Sequence, residues 1–194
     1  MIRRLRFVAI VTGVIGCGVL PAGRVMAASS ACTGSVVEYT ASGTFGSTPL
    51  SGVDGLRLAG NPFNITLYAC ETKTPTQSGA NYAIYSPLEF TGSVKSTLLG
   101  GGEHNIRGYS SIILSVPSSG RDSFQLYAQV NVLTSLAVQM HAILTLAPGT
   151  LKTTSIAPFG TVQLFPADTM TYSTSTGSTT LSIASGTLVS AASR

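Results

Sequence analysis

Along most of the chain apolar and polar residues alternate one by one, the pattern of a β-strand with one buried face. Phe63, Ile65, Leu67 and Ala69 alternate with Asn64, Thr66 and Tyr68. Leu88, Phe90, Gly92 and Val94 alternate with Glu89, Thr91, Ser93 and Lys95. The longest unit runs from Phe124 to Leu146. In its first half Phe124, Leu126, Ala128, Val130 and Val132 face one way, with Gln125, Tyr127, Gln129 and Asn131 opposite. After a break at Leu133-Thr134-Ser135, a second apolar face follows with Leu136, Val138, Met140, Ala142, Leu144 and Leu146. This spacing predicts a long antiparallel hairpin with one wet side. No apolar stripe extends over three helical turns.

Turn chemistry punctuates these runs at Asp54-Gly55, Asn61-Pro62, Gly100-Gly101-Gly102, Ser119-Gly120 and Pro148-Gly149. Short strands at such spacing, without intervening helices, predict an all-β fold, an antiparallel β-sandwich of about nine to eleven strands. The polar segment 73–81 and the glycine-rich loop 99–108 read as its weakest parts, the loop leading into a strand-like run at Ser110 to Val116. Ala41-Ser42-Gly43-Thr44-Phe45 recurs near the end as Ala184-Ser185-Gly186-Thr187-Leu188. Two strands of similar composition would give this echo, and so would a first and last strand lying side by side in one sheet. It is too short to mark a repeat architecture.

The N-terminus departs from the pattern. Arg3, Arg4 and Arg6 precede an apolar run from Phe7 to Leu20, and Val25-Met26-Ala27 offers a small-residue cleavage site. These are the parts of an export signal, residues 1–27, leaving a single domain at 28–194. The run is too short and glycine-rich for a transmembrane helix, which needs about 20 apolar residues. Val14-Ile15-Gly16-Cys17 also resembles a lipobox, so lipidation at Cys17 is the minority alternative to release into the periplasm, outer surface or extracellular space.

Export changes the electrostatics. The chain has 11 Lys and Arg against 7 Asp and Glu, but Arg3, Arg4, Arg6 and Arg24 all precede the cleavage site. The exported part therefore balances 7 basic against 7 acidic residues. That excludes the basic stripe of a nucleic-acid binder and the polybasic patch that holds anionic membranes. Ser and Thr outnumber charged residues several-fold, so hydroxyls carry most of the surface polarity. Losing Cys17 leaves Cys32 and Cys70, an even pair in an oxidising compartment, read as one structural disulfide.

Candidate chemistry is sparse. His141 falls on the wet face of its strand beside Gln139 and Ile143, and His104 follows Glu103 in the glycine loop, where it reads as solvated. Neither belongs to a metal-ligand spacing, and no cofactor motif is present. A triad of either histidine with Asp54, Asp122 or Asp168 has no motif in its favour, because the G-x-S-x-G elbow is missing. The triple glycine lacks the following helix N-terminus that a phosphate loop requires. Asn64-Ile65-Thr66 matches a glycosylation sequon but sits in a Thr-rich strand. What remains is a binding face. Gln125, Tyr127, Gln129 and Asn131 would lie across the hairpin from Gln139 and His141, offering amides and an aromatic plane to a glycan. There is no Trp.

The stretch from Ser51 to Ile65, with its Leu58-Ala59-Gly60-Asn61-Pro62-Phe63 turn, resembles a pattern in exported β-proteins of environmental bacteria that have no assigned activity. The neutral, Thr/Ser/Gly-rich composition and the span from Cys32 to Cys70 are also similar to chaperone–usher pilins. The C-terminus, Leu188 to Arg194, departs from the pilin pattern of a terminal β-zipper with a penultimate Tyr. The leading expectation is a non-enzymatic exported structural or interaction module of the cell envelope or extracellular matrix, partnered by itself, other envelope proteins or glycans. The alternatives are a glycan-binding module using the Tyr127 face and a pilin-like assembling subunit.

Overall fold

The computed structural model describes residues 32–98, 101–132 and 136–193, without the side chains of residues 131, 132 and 136. Residues 1–27, expected to be an export signal, and Cys17 within them lie outside the described residues. Among the described residues ten strands follow one another: β1 (Val36–Ser51), β2 (Pro62–Cys70), β3 (Gln77–Ser78), β4 (Tyr82–Lys95), β5 (Glu103–Ser115), β6 (Asp122–Val132), β7 (Leu136–Leu146), β8 (Gly160–Gln163), β9 (Thr169–Thr174) and β10 (Gly177–Ser193). All pairings are antiparallel.

The expected sandwich is corrected here. Eight strands follow each other around a single sheet in the order β1-β2-β4-β5-β6-β7-β9-β10, and β10 returns to pair with β1. The result is a closed, eight-stranded up-and-down β-barrel. Alternation along a strand is the same for a sandwich and a barrel, since both bury every second side chain. The closing pair decides between them. It joins the two echo segments, with Ala41 opposite Leu188, Ser42 opposite Thr187 and Gly43 opposite Gly186. The short strands β3 and β8 extend the wall against β4 and β10, where β2 and β9 stop.

Closure demands curvature, and glycines supply it. A Cβ on Gly43 would run into the Ser185 carbonyl, and one on Gly186 into the Ser42 carbonyl. Gly92 and Gly108 press in the same way on Asn64 and Gln129 backbone. At these four places neighbouring strands approach closer than any side chain permits, as at barrel corners.

The inward side chains fill the barrel. Tyr39, Phe45, Phe90, Phe124, Ile65, Leu67, Ile112 and Leu181 are all almost fully buried. Tyr39 and Phe124 pack with ring centroids 5.2 Å apart, and Phe45 stacks on Phe63 at 4.7 Å. Two voids among the described residues, one of them mid-barrel between Phe63, Leu126 and Met170, hold only about 10 Å³ each.

Loops seal both ends. At one end Leu56 and Leu58 of the β1–β2 loop enter the barrel. Asp54 holds this loop by accepting from the amides of Leu58 (3.1 Å) and Ala59 (2.8 Å) and from the Tyr172 hydroxyl (2.7 Å). Within it Arg57 adopts φ 50°, a left-handed conformation costly for a side chain with a Cβ. At the other end Leu151 and Ile156 cover the core, and the Tyr85 and Tyr39 hydroxyls donate to the carbonyls of Thr154 (2.9 Å) and Ala157 (3.4 Å). Asp122 accepts from the Leu151 amide at 2.8 Å. Asp168 accepts from the amides of Thr145 (2.7 Å) and Phe165 (2.6 Å).

The expected hairpin is present as β6 and β7, with Phe124 opposite Leu144 and Val130 opposite Val138. The glycine loop is shorter than expected, because residues 103–108 already belong to β5. His104 is therefore a strand residue opposite Val94 rather than a loop residue. Cys32 and Cys70 form a disulfide with a Cα–Cα distance of 5.6 Å.

Among the described residues no helix is long and apolar enough to cross a membrane. The wall itself is polar outside and apolar inside, the reverse of a membrane barrel with its outward apolar band. Outward positions include Glu38, Thr40 and Ser42 on β1, Asn64 and Thr66 on β2, and Thr169, Thr171 and Ser173 on β9.

Candidate functional site

A filled interior leaves the outer wall as the place where side chains are free to meet a ligand. The inward phase of each strand is fixed by its apolar residues, so the outward phase is fixed as well. Strand pairing then arranges outward residues in rows across β5, β6, β7 and β9. One row is Tyr109, Gln129, Gln139 and Ser173; the next is Ser111, Tyr127, His141 and Thr171; the third is Ile113, Gln125, Ile143 and Thr169.

Gln125, Tyr127, Gln129, Gln139 and His141 are thus gathered on one wall, though it is a barrel's outer surface rather than a flat sandwich face. Asn131 is opposite Ala137 at the backbone, and its side chain is outside the described residues. Tyr127 and His141 face each other across the strands as stacked rings, with centroids 3.9 Å apart and planes 14° apart. Burial under this stack lowers the His141 pKa from its ordinary value, and its Nε2 has no hydrogen-bond partner among the described residues. The stack therefore presents a neutral imidazole against a phenol ring. Tyr127 remains 41% exposed and Tyr109, one row away, 70% exposed.

Tyr109 also belongs to a second feature that sequence reasoning missed. Tyr68 on β2, Glu89 on β4 and Tyr109 on β5 are successive cross-strand neighbours on the outer wall. They line a groove of about 460 Å³ together with Cys32, Cys70, Thr72, Lys73, Thr74 and Pro87. Two devices make a concavity on a convex wall. The β4–β5 register slips between Tyr85 and Leu88, placing Pro87 at a bulge that bends the strand. Opposite, the turn after β2 is held over the wall by the disulfide, by Glu71 N donating to the Ser35 carbonyl (2.9 Å) and by Lys73 N donating to the Cys70 carbonyl (2.9 Å). Burial raises the Tyr68 pKa, with Glu38 adding to the effect, so Tyr68 is a neutral phenol. Alternation put Tyr68 and Glu89 on wet faces, but cross-strand register was needed to make them neighbours of Tyr109.

The titratable groups weighed for catalysis are placed elsewhere. Asp54, Asp122 and Asp168 hold backbone amides in the end caps, whereas His141 stacks on the outer wall. Among the described residues no group of three or more His, Cys, Asp or Glu is placed to hold a metal ion. No family model, curated protein or solved structure matches this chain. The likenesses to exported β-proteins and to pilins therefore rest on the quoted residues alone. The Ser51–Ile65 stretch forms the end of β1, the Asp54-bound cap and the start of β2, which is a structural role.

Proposed function

We propose that this chain is a non-enzymatic exported interaction module of the cell envelope or extracellular matrix, and that it binds through its outer wall. The observation that carries this reading is the division of the barrel into a filled apolar inside and a hydroxyl-, amide- and tyrosine-bearing outside. A barrel that carries a small molecule internally needs a cavity of about 300 Å³ or more, and the two voids described inside this one are far smaller. The buried carboxylates support the non-enzymatic reading, since their oxygens accept backbone hydrogen bonds that fix the caps. Export is supported by the N-terminal signal pattern, and the disulfide is compatible with an oxidising compartment.

A pilin-like subunit is the weaker reading. Strand donation needs an open sheet edge along a whole strand, and among the described residues the β1–β10 pairing closes the sheet on itself. The test is cosedimentation of the exported protein with purified cell-wall and matrix polysaccharides, together with the chain length of each polymer before and after. Binding without shortening is expected. Shortened polymer would make the protein a hydrolase. Concentration-dependent filaments without polymer binding would restore the assembling subunit.

A further inference from the structure

The disulfide-edged groove is a sizeable concavity on the outer wall, and its lining is specific in kind. Its floor is a row of tyrosine, carboxylate and tyrosine on three adjacent strands. Adjacent strands are about 4.8 Å apart, so Tyr68 and Tyr109 stand roughly 10 Å apart at the backbone with Glu89 between them. Lys73, Thr72 and Thr74 come from the overhanging turn. Among the described residues the Glu89 carboxylate and the Lys73 ammonium hold no ion pair and no side-chain hydrogen bond.

We infer that this groove is a saccharide-binding subsite. The inference rests on the outer-wall reading above and gives that wall a ligand class. Tyr109 supplies the stacking plane, Glu89 accepts hydrogen bonds from neighbouring hydroxyls, and Lys73 with Thr74 donates to ring and hydroxyl oxygens, while Thr72, donating to Cys70 Sγ, offers its oxygen as an acceptor. One unpaired charge of each sign favours a neutral ligand rich in hydroxyls over an ion of either sign. A quaternary ammonium would suit the two tyrosines and Glu89, but Lys73 in the same groove opposes it. The volume suits a short oligosaccharide, within the roughly 300–1,000 Å³ of small-ligand sites. The walls are already fixed by the disulfide and the bulge, so little ordering is lost on binding.

The groove also has an exit. Tyr109 adjoins Gln129, and the Tyr127–His141 stack lies one row further along the wall. A linear glycan seated between Tyr68 and Tyr109 is thereby led toward a second aromatic surface. Longer chains should bind more tightly than their dimers.

The experiment is a calorimetric titration of the exported protein with maltose, cellobiose and N,N′-diacetylchitobiose and with the corresponding hexasaccharides. Tyrosine fluorescence serves as a second readout, unobscured because the chain has no Trp. At least one hexasaccharide should bind, more tightly than its dimer. Tyr109→Ala and Glu89→Gln, both at exposed or half-exposed positions, should each weaken it about tenfold at an unchanged melting temperature. If a sugar binds and only Tyr127→Ala weakens it, the groove is not the subsite, while the outer-wall reading stands. If none of these sugars binds, the saccharide inference is overturned, and polymer cosedimentation decides the broader reading separately.

Discussion

Replacing Gly186 by alanine probes the seam on which the barrel depends. An added Cβ would overlap the Ser42 carbonyl oxygen and stand 3.1 Å from both the Gly43 Cα and the Leu164 Cδ1. Two of these three atoms are backbone of the paired strand, which cannot rotate away as a side chain would. The strands must separate locally, and overpacking of this kind costs about 1–3 kcal/mol. Alanine also narrows the unfolded ensemble, which returns about 0.4–1 kcal/mol. The net loss then centres on about 1.3 kcal/mol, or a fall in melting temperature of roughly 3–5 °C at about 2–4 °C per kcal/mol. Gly102→Ala is the control, because a Cβ there meets nothing within 4 Å and φ is ordinary. It should leave stability unchanged or slightly raised. Differential scanning calorimetry of both variants and of Gly43→Ala with Gly186→Ala measures this. The double variant should lose less than the sum of its parts, since one displacement of the seam relieves both clashes. A Gly186→Ala protein as stable as the parent would refute the close approach of β1 and β10.

Three further outcomes follow from the same structure. Replacing Cys32 and Cys70 by serine frees a loop closed across 38 positions, which in the chain-entropy picture costs about 4 kcal/mol; urea unfolding of oxidised and reduced protein checks the figure. Asp168→Ala removes the acceptor of two cap amides at a fully buried site and should cost about 2–6 kcal/mol, with Asp168→Asn milder; a loss under 1 kcal/mol would mean the cap does not depend on this carboxylate. Burial lowers the His141 pKa, so the folded chain binds that proton less readily than the unfolded one. Its contribution is then fully present above the unfolded value of about 6.5 and declines as pH falls toward the lower folded value. Melting temperatures from about pH 7 to about pH 5 should decline less steeply in His141→Asn, and an unchanged slope would contradict the buried stack.

The strands were legible because each buries one face. Phe63 to Ala69, Leu88 to Val94 and the Phe124–Leu146 hairpin all appear where alternation places them. The architecture was less legible, because closure is a property of pairing between the ends of the chain. Its one trace was the echo of Ala41-Ser42-Gly43-Thr44 in Ala184-Ser185-Gly186-Thr187, which could also have been composition alone. The expected glycine loop runs too long because Glu103 to Gly108 carry a single apolar residue, Ile106, although ladder bonds to β4 hold them as strand. The Tyr127 wall could be read within a single hairpin, where register follows from the turn. The groove could not, since Tyr68, Glu89 and Tyr109 come from three strands, and the bulge at Pro87 that opens it marks the alternation only as a change of phase between Tyr85 and Leu88.

The placement of recognition on the outer wall stands on the barrel being closed, and amide hydrogen exchange at the seam tests that most directly. In a closed barrel β1 is bonded to β2 on one side and β10 on the other, so nearly every amide in residues 37–43 and 186–192 is engaged. The account predicts that they exchange as slowly as those of the central strands β5 and β6, by global unfolding. Fast exchange at every second amide of β1, the half that points toward β10, would show an open sheet and contradict it.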